Sequence, residues 1–344
     1  MNRFTYARVE DVATAVRAIA ADGHARFIAG GTNLLDLMKE NVERPERLID
    51  ITHLPLAGIE PTDHGGLRLG ALATNTSVAY HPEVERRYPL LSQAILAGAS
   101  AQLRNMASVG GNLMQRTRCA YFYETATPCN KRTPGAGCAA IGGFTRYHAI
   151  LGASEHCIAV HPSDMCVALA ALDAVVRVTG PGGDRTIAFG DFHRLPGDTP
   201  HLDTTKQPDE IITAVDLPAE GFARHFTYLK VRDRTSYAFA LVAVAAALRM
   251  EGGTIAEARV TLGGVAHTPW RDPSVEATLR GQPATRASFQ RAADALVRDA
   301  RASGQNAFKI ELARRAVVRA LERAAAGGRD EAGPAAAAPA GGRP

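Results

Sequence analysis

The first regular feature of the chain is an apolar stripe at helical spacing. Val12, Val16 and Ile19 recur behind Asp11, a residue type that caps helix N-termini, and Gly23 is placed to end the run. Residues 25–29 then read as a strand that runs into Gly30-Gly31-Thr32-Asn33, and a second helical pattern covers 34–39. Strands follow at 48–51 and 67–71, the latter leading to Thr74, a cap candidate for the next helix. Helical spacing returns over 89–99. Asp164 opens another helical run through Cys166, Leu169 and Leu172, which passes into a strand at 174–178 and a Gly/Pro turn at 180–183. Residues 184–208, rich in Pro, Gly, Asp and His, read as irregular, and strand character resumes over 210–215.

Beyond residue 221 the pattern changes. Residues 225–231 alternate as a strand, 238–248 form a near-continuous apolar run expected of a buried strand, and 257–262 form a third that ends at Gly263-Gly264. Two helices are predicted over about 286–298 and 307–321, the second carrying Ile310, Ala313, Val317 and Leu321. Three successive strands followed by helices predict an α+β unit: an antiparallel sheet with helices on one face. The expected division is 1–220 and 221–323. After Arg323 apolar periodicity is lost, so 324–344 reads as a disordered tail.

Composition narrows the function. The 344 residues are 46% hydrophobic and 22% charged, as in globular proteins, and the net charge of +4 comes from interspersed acids and bases. This gives no reason to expect a nucleic-acid or membrane partner. The longest apolar run, about 237–248, is too short to span a bilayer. No apolar leader follows Met1-Asn2-Arg3, so the expectation is no signal peptide of its own. The chain would then be cytoplasmic, or periplasmic by co-export with a signal-bearing partner.

Candidate chemistry is concentrated between Arg104 and Asp164. A glycine pair suited to close backbone approach, Ala107-Ser108-Val109-Gly110-Gly111-Asn112, precedes Cys119, Cys129, Cys138 and Cys157 at irregular intervals. Disulfides are disfavoured in a reducing compartment, and the close C-x-x-C pairs typical of structural zinc are absent. From spacing alone, zinc, an iron–sulfur cluster and unligated thiols all stay open. Cys166, in an apolar run, reads as a small core residue. The strand, glycine turn and helix around Gly30-Gly31 suit a phosphate, but they are not the G-x-G-x-x-G fingerprint, so a Rossmann site is not supported.

Taken together, Phe27-Ile28-Ala29-Gly30-Gly31-Thr32-Asn33 and the segment from Arg104 to Asn112 resemble the paired FAD-binding loops of the flavoprotein (medium) subunit of molybdenum hydroxylases, the xanthine dehydrogenase and aldehyde oxidase family. His161-Pro162-Ser163-Asp164-Met165 resembles that family's next FAD-contacting segment, and Lys230 falls where the family carries a lysine near the flavin. The resemblance spans about residues 1–322. It implies a two-lobed FAD-binding domain, with lobes of about 1–56 and 57–220. In it, main-chain N–H groups of residues 27–33 hold the pyrophosphate, and Ser108, Gly111 and Asn112 hold the phosphate-ribityl region. Ala107, Gly110, Ser163 and Ile212 complete the implied contacts. Asp164 would bond a ribityl hydroxyl, with helix capping its alternative role, and Lys230 would stabilise reduced flavin, with a snorkelling strand lysine as the alternative.

The cysteine block, residues 115–160, resembles the insertion of flavoprotein subunits of the periplasmic aldehyde oxidoreductase and hydroxybenzoyl-CoA reductase types, which carries a [4Fe-4S] cluster. The resemblance therefore implies Cys119, Cys129, Cys138 and Cys157 as ligands. It also implies an electron-transfer subunit of an aldehyde oxidoreductase, partnered by a small [2Fe-2S] subunit and a large molybdopterin subunit, with no catalytic residue of its own. A hydroxybenzoyl-CoA reductase-like or xanthine dehydrogenase-like complex is the nearest alternative. A flavin oxidase with its own substrate and a zinc-stabilised, non-enzymatic scaffold are the more distant ones.

Overall fold

A computed structural model describes residues 1–327. The first lobe contains β1 (Thr5–Arg8), α1 (Val12–Ala20), β2 (Ala25–Ile28), α2 (Leu34–Lys39) and β3 (Arg47–Asp50). Its strands form a parallel sheet in the order β1-β3-β2. The Asp11 carboxylate caps α1 by accepting from the Thr14 N–H, and the helix turns Ala15, Val16 and Ile19 onto the sheet.

The second lobe is built from β4 (Ile59–Pro61), β5 (Leu67–Gly70), α3 (Asn75–Ala79), α4 (Pro82–Arg87), α5 (Pro89–Ala97), α6 (Ala101–Met106), α7 (Val109–Leu113), α8 (Ala120–Tyr123), α9 (Asp164–Ala171), β6 (Val175–Gly180), β7 (Gly183–Ala188), α10 (Phe189–Phe192) and β8 (Ile211–Leu217). Its sheet is antiparallel, in the order β4-β5-β8-β6-β7. The stretch expected to be irregular from 184 therefore begins with a strand and a helical turn. β7 lies at the sheet edge with only Ile187 buried, so the alternation that marks a half-buried strand is missing.

The C-terminal region comprises β9 (His225–Val231), β10 (Val242–Glu251), β11 (Thr254–Gly263), β12 (Trp270–Arg271), α11 (Pro273–Leu279), α12 (Arg286–Leu296) and α13 (Phe308–Ala326). The sheet is antiparallel, β12-β11-β10-β9, with two-residue β12 added to the three expected strands. Both faces are covered. Val242, Val244, Ala246 and Leu248 pack with residues of α11, α12 and α13, whereas Ala243, Ala245 and Ala247 join the core of the second lobe with Leu91 and Leu169. That double burial is why β10 reads as an unbroken apolar run: the expected helices cover one face, and the second lobe covers the other. Helix α13 also continues through Ala324, fully buried, to Ala326, past the expected start of the tail; the rest of the expected tail lies outside the described residues.

Arg271 on β12 ties the sheet to the second lobe. Its guanidinium donates two bonds to Glu276, of 2.7 and 2.9 Å, and one of 2.8 Å to the Ala170 carbonyl, and it pairs with Asp173. Glu276 is 5% exposed and also accepts the Val260 N–H. Removing the arginine leaves this carboxylate short of counter-charge, so Arg271→Met is expected to cost roughly 3 kcal/mol in denaturant unfolding. A loss under about 1 kcal/mol would mean that the pair behaves like an exposed one.

Candidate functional site

The two glycine loops meet. β2 ends at Ile28, and the turn that follows needs a positive φ, +72°, at Gly31 before α2 begins. A Cβ on Gly30 would sit 1.7 Å from the Met106 carbonyl oxygen, so the first lobe touches the second lobe's loop backbone to backbone. Among the described residues, the main-chain N–H groups of Gly30, Gly31, Thr32 and Asn33 donate no hydrogen bond within the protein. Four unengaged donors ahead of a helix start suit a phosphate. The second loop is held differently. Ser108 caps α7 by accepting from Gly111 N–H at 3.2 Å, and Gly110 packs on Ala71 and Ile212.

Between the loops lies a cavity of about 910 Å³, near the upper end of the roughly 300–1,000 Å³ usual for ligand and cofactor pockets. Of the residues expected to hold FAD, Thr32, Asn33, Ala107, Gly111, Asn112, Ser163, Asp164 and Lys230 line it. Phe27, Ile28, Ala29, Gly30, Gly31, Ser108, Gly110 and Ile212 stand behind this wall as strand, turn, cap and packing residues. The Ser108 oxygen accepts from its own helix, an arrangement that still leaves its O–H to donate.

The deep side of the cavity is polar. Asp164 accepts from the Lys230 ammonium at 2.7 Å and from the Tyr228 hydroxyl at 2.7 Å, and Lys230 also donates to the Ala97 carbonyl. Lys230 is therefore neutralised by Asp164 and acts as half of an ion pair. Burial, with Asp164 adding to it, pushes the Tyr228 hydroxyl well above its ordinary pKa, so it stays a donor. Helix α9 is capped by Ser163, which accepts from Cys166 N–H, so the capping role considered for Asp164 belongs to its neighbour. Several lining residues carry buried polar atoms without a partner: Asn33 Nδ2, Asn75 Oδ1, Arg104 Nε and His161 Nε2. Buried polar atoms in folded proteins are normally satisfied, so this set fits a ligand rich in oxygen and nitrogen, as FAD is.

The cysteine block forms one wall. All four thiols are free: Cys138 shares a hydrogen bond with Cys157, Cys129 and Cys138 face each other across a single β-bridge, and Cys119 feels the charge of both Cys129 and Cys138. The hydrogen bond within the Cys138–Cys157 pair holds Cys138 below its ordinary range and Cys157 above its own, while burial raises Cys119 to about 11. Four converging thiols fit a thiophilic metal centre. Cys119 alone of the four lines the large cavity. Cys166 is fully buried, as expected of a core residue, and lies near the packed rings of His161 and His193.

Polar anchors bind this block to the rest. Lys131, 3% exposed, pairs with Asp203 and donates to the Pro200 carbonyl; Arg116 pairs with Glu43 and Asp203. Burial opposes the charge on Asp203, but Arg116 and Lys131 more than offset it and hold the carboxyl below its ordinary range. Lys309 on α13, fully buried, donates to the His148 and Gly264 carbonyls. The block's apolar residues are divided: Phe122 and Cys129 pack with Leu37 of α2, while Ile150 and Leu151 join the core of the C-terminal sheet. Sequence reading missed Lys131, Lys309 and the histidines His148, His193 and His267, because single polar residues that become buried through tertiary contacts leave no spacing signal.

Comparison with known proteins defines the class. Residues 2–220 match the family model of the FAD binding domain in molybdopterin dehydrogenase, and 226–324 match that of the CO dehydrogenase flavoprotein C-terminal domain. The chain belongs to the FAD-binding medium subunits of the molybdenum hydroxylase family. It is 52% identical to the aldehyde oxidoreductase FAD-binding subunit PaoB of Escherichia coli K12, over 95% of this chain and 99% of that one. It is 27% identical, with a TM-score of 0.74, to a chain in the structure of carbon monoxide dehydrogenase from Hydrogenophaga pseudoflava, covering 94% of this chain and 98% of that one. A chain of quinoline 2-oxidoreductase from Pseudomonas putida 86 shares the fold at 24% identity and a TM-score of 0.73, over 94% and 98%. The relatives are oxidoreductase or dehydrogenase subunits, and no helix among the described residues is long and apolar enough to cross a membrane.

The loop contact gives a direct test. Gly30→Ala is expected to weaken FAD binding at least about tenfold, or roughly 1.4 kcal/mol, in equilibrium titrations of the apoprotein. Gly23→Ala is the control, because its Cβ would meet nothing within 4 Å. Equal affinities in the two variants would show that the loop contact does not shape the site.

Proposed function

We propose that this chain is the FAD and [4Fe-4S] electron-transfer subunit of a heterotrimeric, molybdenum-dependent aldehyde oxidoreductase. In it, Thr32 and Asn33 hold the pyrophosphate through main-chain N–H groups, with Gly30 and Gly31 forming the turn that presents them, and Gly111, Asn112 and Ser163 hold the phosphate-ribityl region. The Asp164–Lys230 pair orients the deeper part of the cofactor. Bound FAD would exchange electrons singly or in pairs, the chemistry that lets one-electron iron–sulfur carriers feed a terminal acceptor. The partners are a small [2Fe-2S] subunit and a large molybdopterin subunit, which carries the aldehyde chemistry. The observation that carries this reading is the cavity itself: glycine loops from both lobes, unengaged main-chain donors and unsatisfied polar side chains line one space large enough for a dinucleotide.

Cys119, Cys129, Cys138 and Cys157 are the ligands proposed for the [4Fe-4S] cluster. The support is their convergence as free thiols in a block whose apolar residues are divided between a small cluster around Phe122 and the core of the C-terminal sheet. A segment without one core of its own needs other fastening, and metal ligation is coupled to folding in such segments. The cluster is accordingly assigned a structural share in this segment. Aldehyde as the oxidised substrate of the complex is supported by the 52% identity to a subunit named for that activity.

The test is chemical analysis of the purified chain reconstituted with iron, sulfide and flavin. One FAD and about four iron atoms per chain are expected, with broad iron–sulfur absorption beneath the flavin bands. Cys129→Ser is expected to lose the iron while other cysteine-independent elements keep their fold. Full iron content in that variant would remove Cys129 from the ligand set, and zinc without flavin would favour a scaffold.

A further inference from the structure

Two imidazoles stand against the cysteine group. His148 Nε2 lies 3.1 Å from Cys119 Sγ, and His267 Nε2 lies 3.3 Å from Cys157 Sγ. His148 comes from the cysteine block, whereas His267 comes from the turn between β11 and β12, nearly 120 residues further on in the chain. The rings are 5% and 7% exposed, and the other nitrogen of each, Nδ1, is buried without a hydrogen-bond partner. Both rings are shut away from water, so the sulfur each Nε2 faces is the partner on offer.

A neutral imidazole has one N–H to place. On Nδ1 the proton would be stranded in a dry site, and the Nε2 lone pair would face sulfur. On Nε2 the proton meets the sulfur, and only a lone pair is left without company. Stranding a donor beside an electron-rich sulfur is the costlier arrangement, so the Nε2–H tautomer is selected at both rings. Resting on the [4Fe-4S] reading above, we propose that His148 and His267 are positioning residues that donate Nε2–H···S hydrogen bonds to Cys119 and Cys157 and so raise the reduction potential of the cluster these cysteines hold. A reduced cluster carries one more negative charge, spread in part over its thiolate sulfurs. Donors aimed at those sulfurs therefore stabilise the reduced form more than the oxidised one.

The experiment uses the full chain loaded with iron, sulfide and FAD. His148→Phe and His267→Phe keep a flat ring but remove the donor. Iron per chain is counted first, then the midpoint potential is read by dithionite titration followed by electron paramagnetic resonance. The expected result is unchanged iron and a reduction equilibrium constant about tenfold lower for each donor lost, a fall of about 59 mV for one electron. His267→Gln, which offers an amide N–H, should recover part of the shift. Phe variants that hold iron and titrate with the wild type would falsify the proposal. Should the Phe variants lose the cluster, pulsed resonance on the reduced wild-type chain grown with 15N-histidine decides instead. Nitrogen couplings from the rings support the hydrogen bonds, and their absence overturns them. A wild-type chain that takes up no iron overturns the cluster assignment, and this proposal with it.

Discussion

The site depends on a contact that permits no side chain. Gly30 presses against the Met106 carbonyl so closely that even a methyl group would overlap it. Through that contact a parallel-sheet lobe and an antiparallel-sheet lobe, each with its own apolar core, hold their loops edge to edge. Neither lobe alone encloses the cavity. The polar groups that line it come from α2, α7, α9 and β9, elements scattered over some two hundred residues of chain and brought together by this meeting of backbones.

The cysteine block is fastened by a different physics. Its apolar residues are divided between a small cluster around Phe122 and the core of the C-terminal sheet, and charges and carbonyl oxygens supply much of the remaining fastening. Lys131, Arg116 and Lys309 are each drawn out of water and matched to acids or main-chain acceptors from other parts of the fold. Buried charges with good partners specify one arrangement more than they stabilise it, because their desolvation offsets much of the attraction. Such a segment sits where it must, and the sulfur-bound centre proposed for it supplies the remaining cohesion.

Much of the fold was legible in the pattern of apolar positions. Helix α1 with its Asp11 cap, α2, β8 and the buried β10 all follow from periods of 3.6 or 2, or from an unbroken apolar run. Edge strand β7 was not legible, because five of its six residues face water and no alternation survives. The glycine loops were visible as pairs, but their division of labour was not. Only coordinates reveal that Ser108 caps α7, or that Lys230 reaches the cavity already neutralised by Asp164. The same holds for His148 and His267. A histidine becomes a sulfur's neighbour through packing between distant segments, and a linear sequence gives no sign of it.

The C-terminal sheet, sandwiched between helices and the second lobe, also acts as a spacer. Opposite Lys230 on the neighbouring strand is Ala243, and opposite Ala243 is Gly263; both line the cavity, and a methyl on Gly263 would run into Val167 of α9. The smallest side chains therefore occupy the rung where the sheet, α9 and the cavity floor converge. Bulk added there would lift α9 and with it the Ser163–Asp164 corner. The depth of the pocket is in this way metered from behind, by the thickness of a sheet whose far side faces α13 and not the pocket.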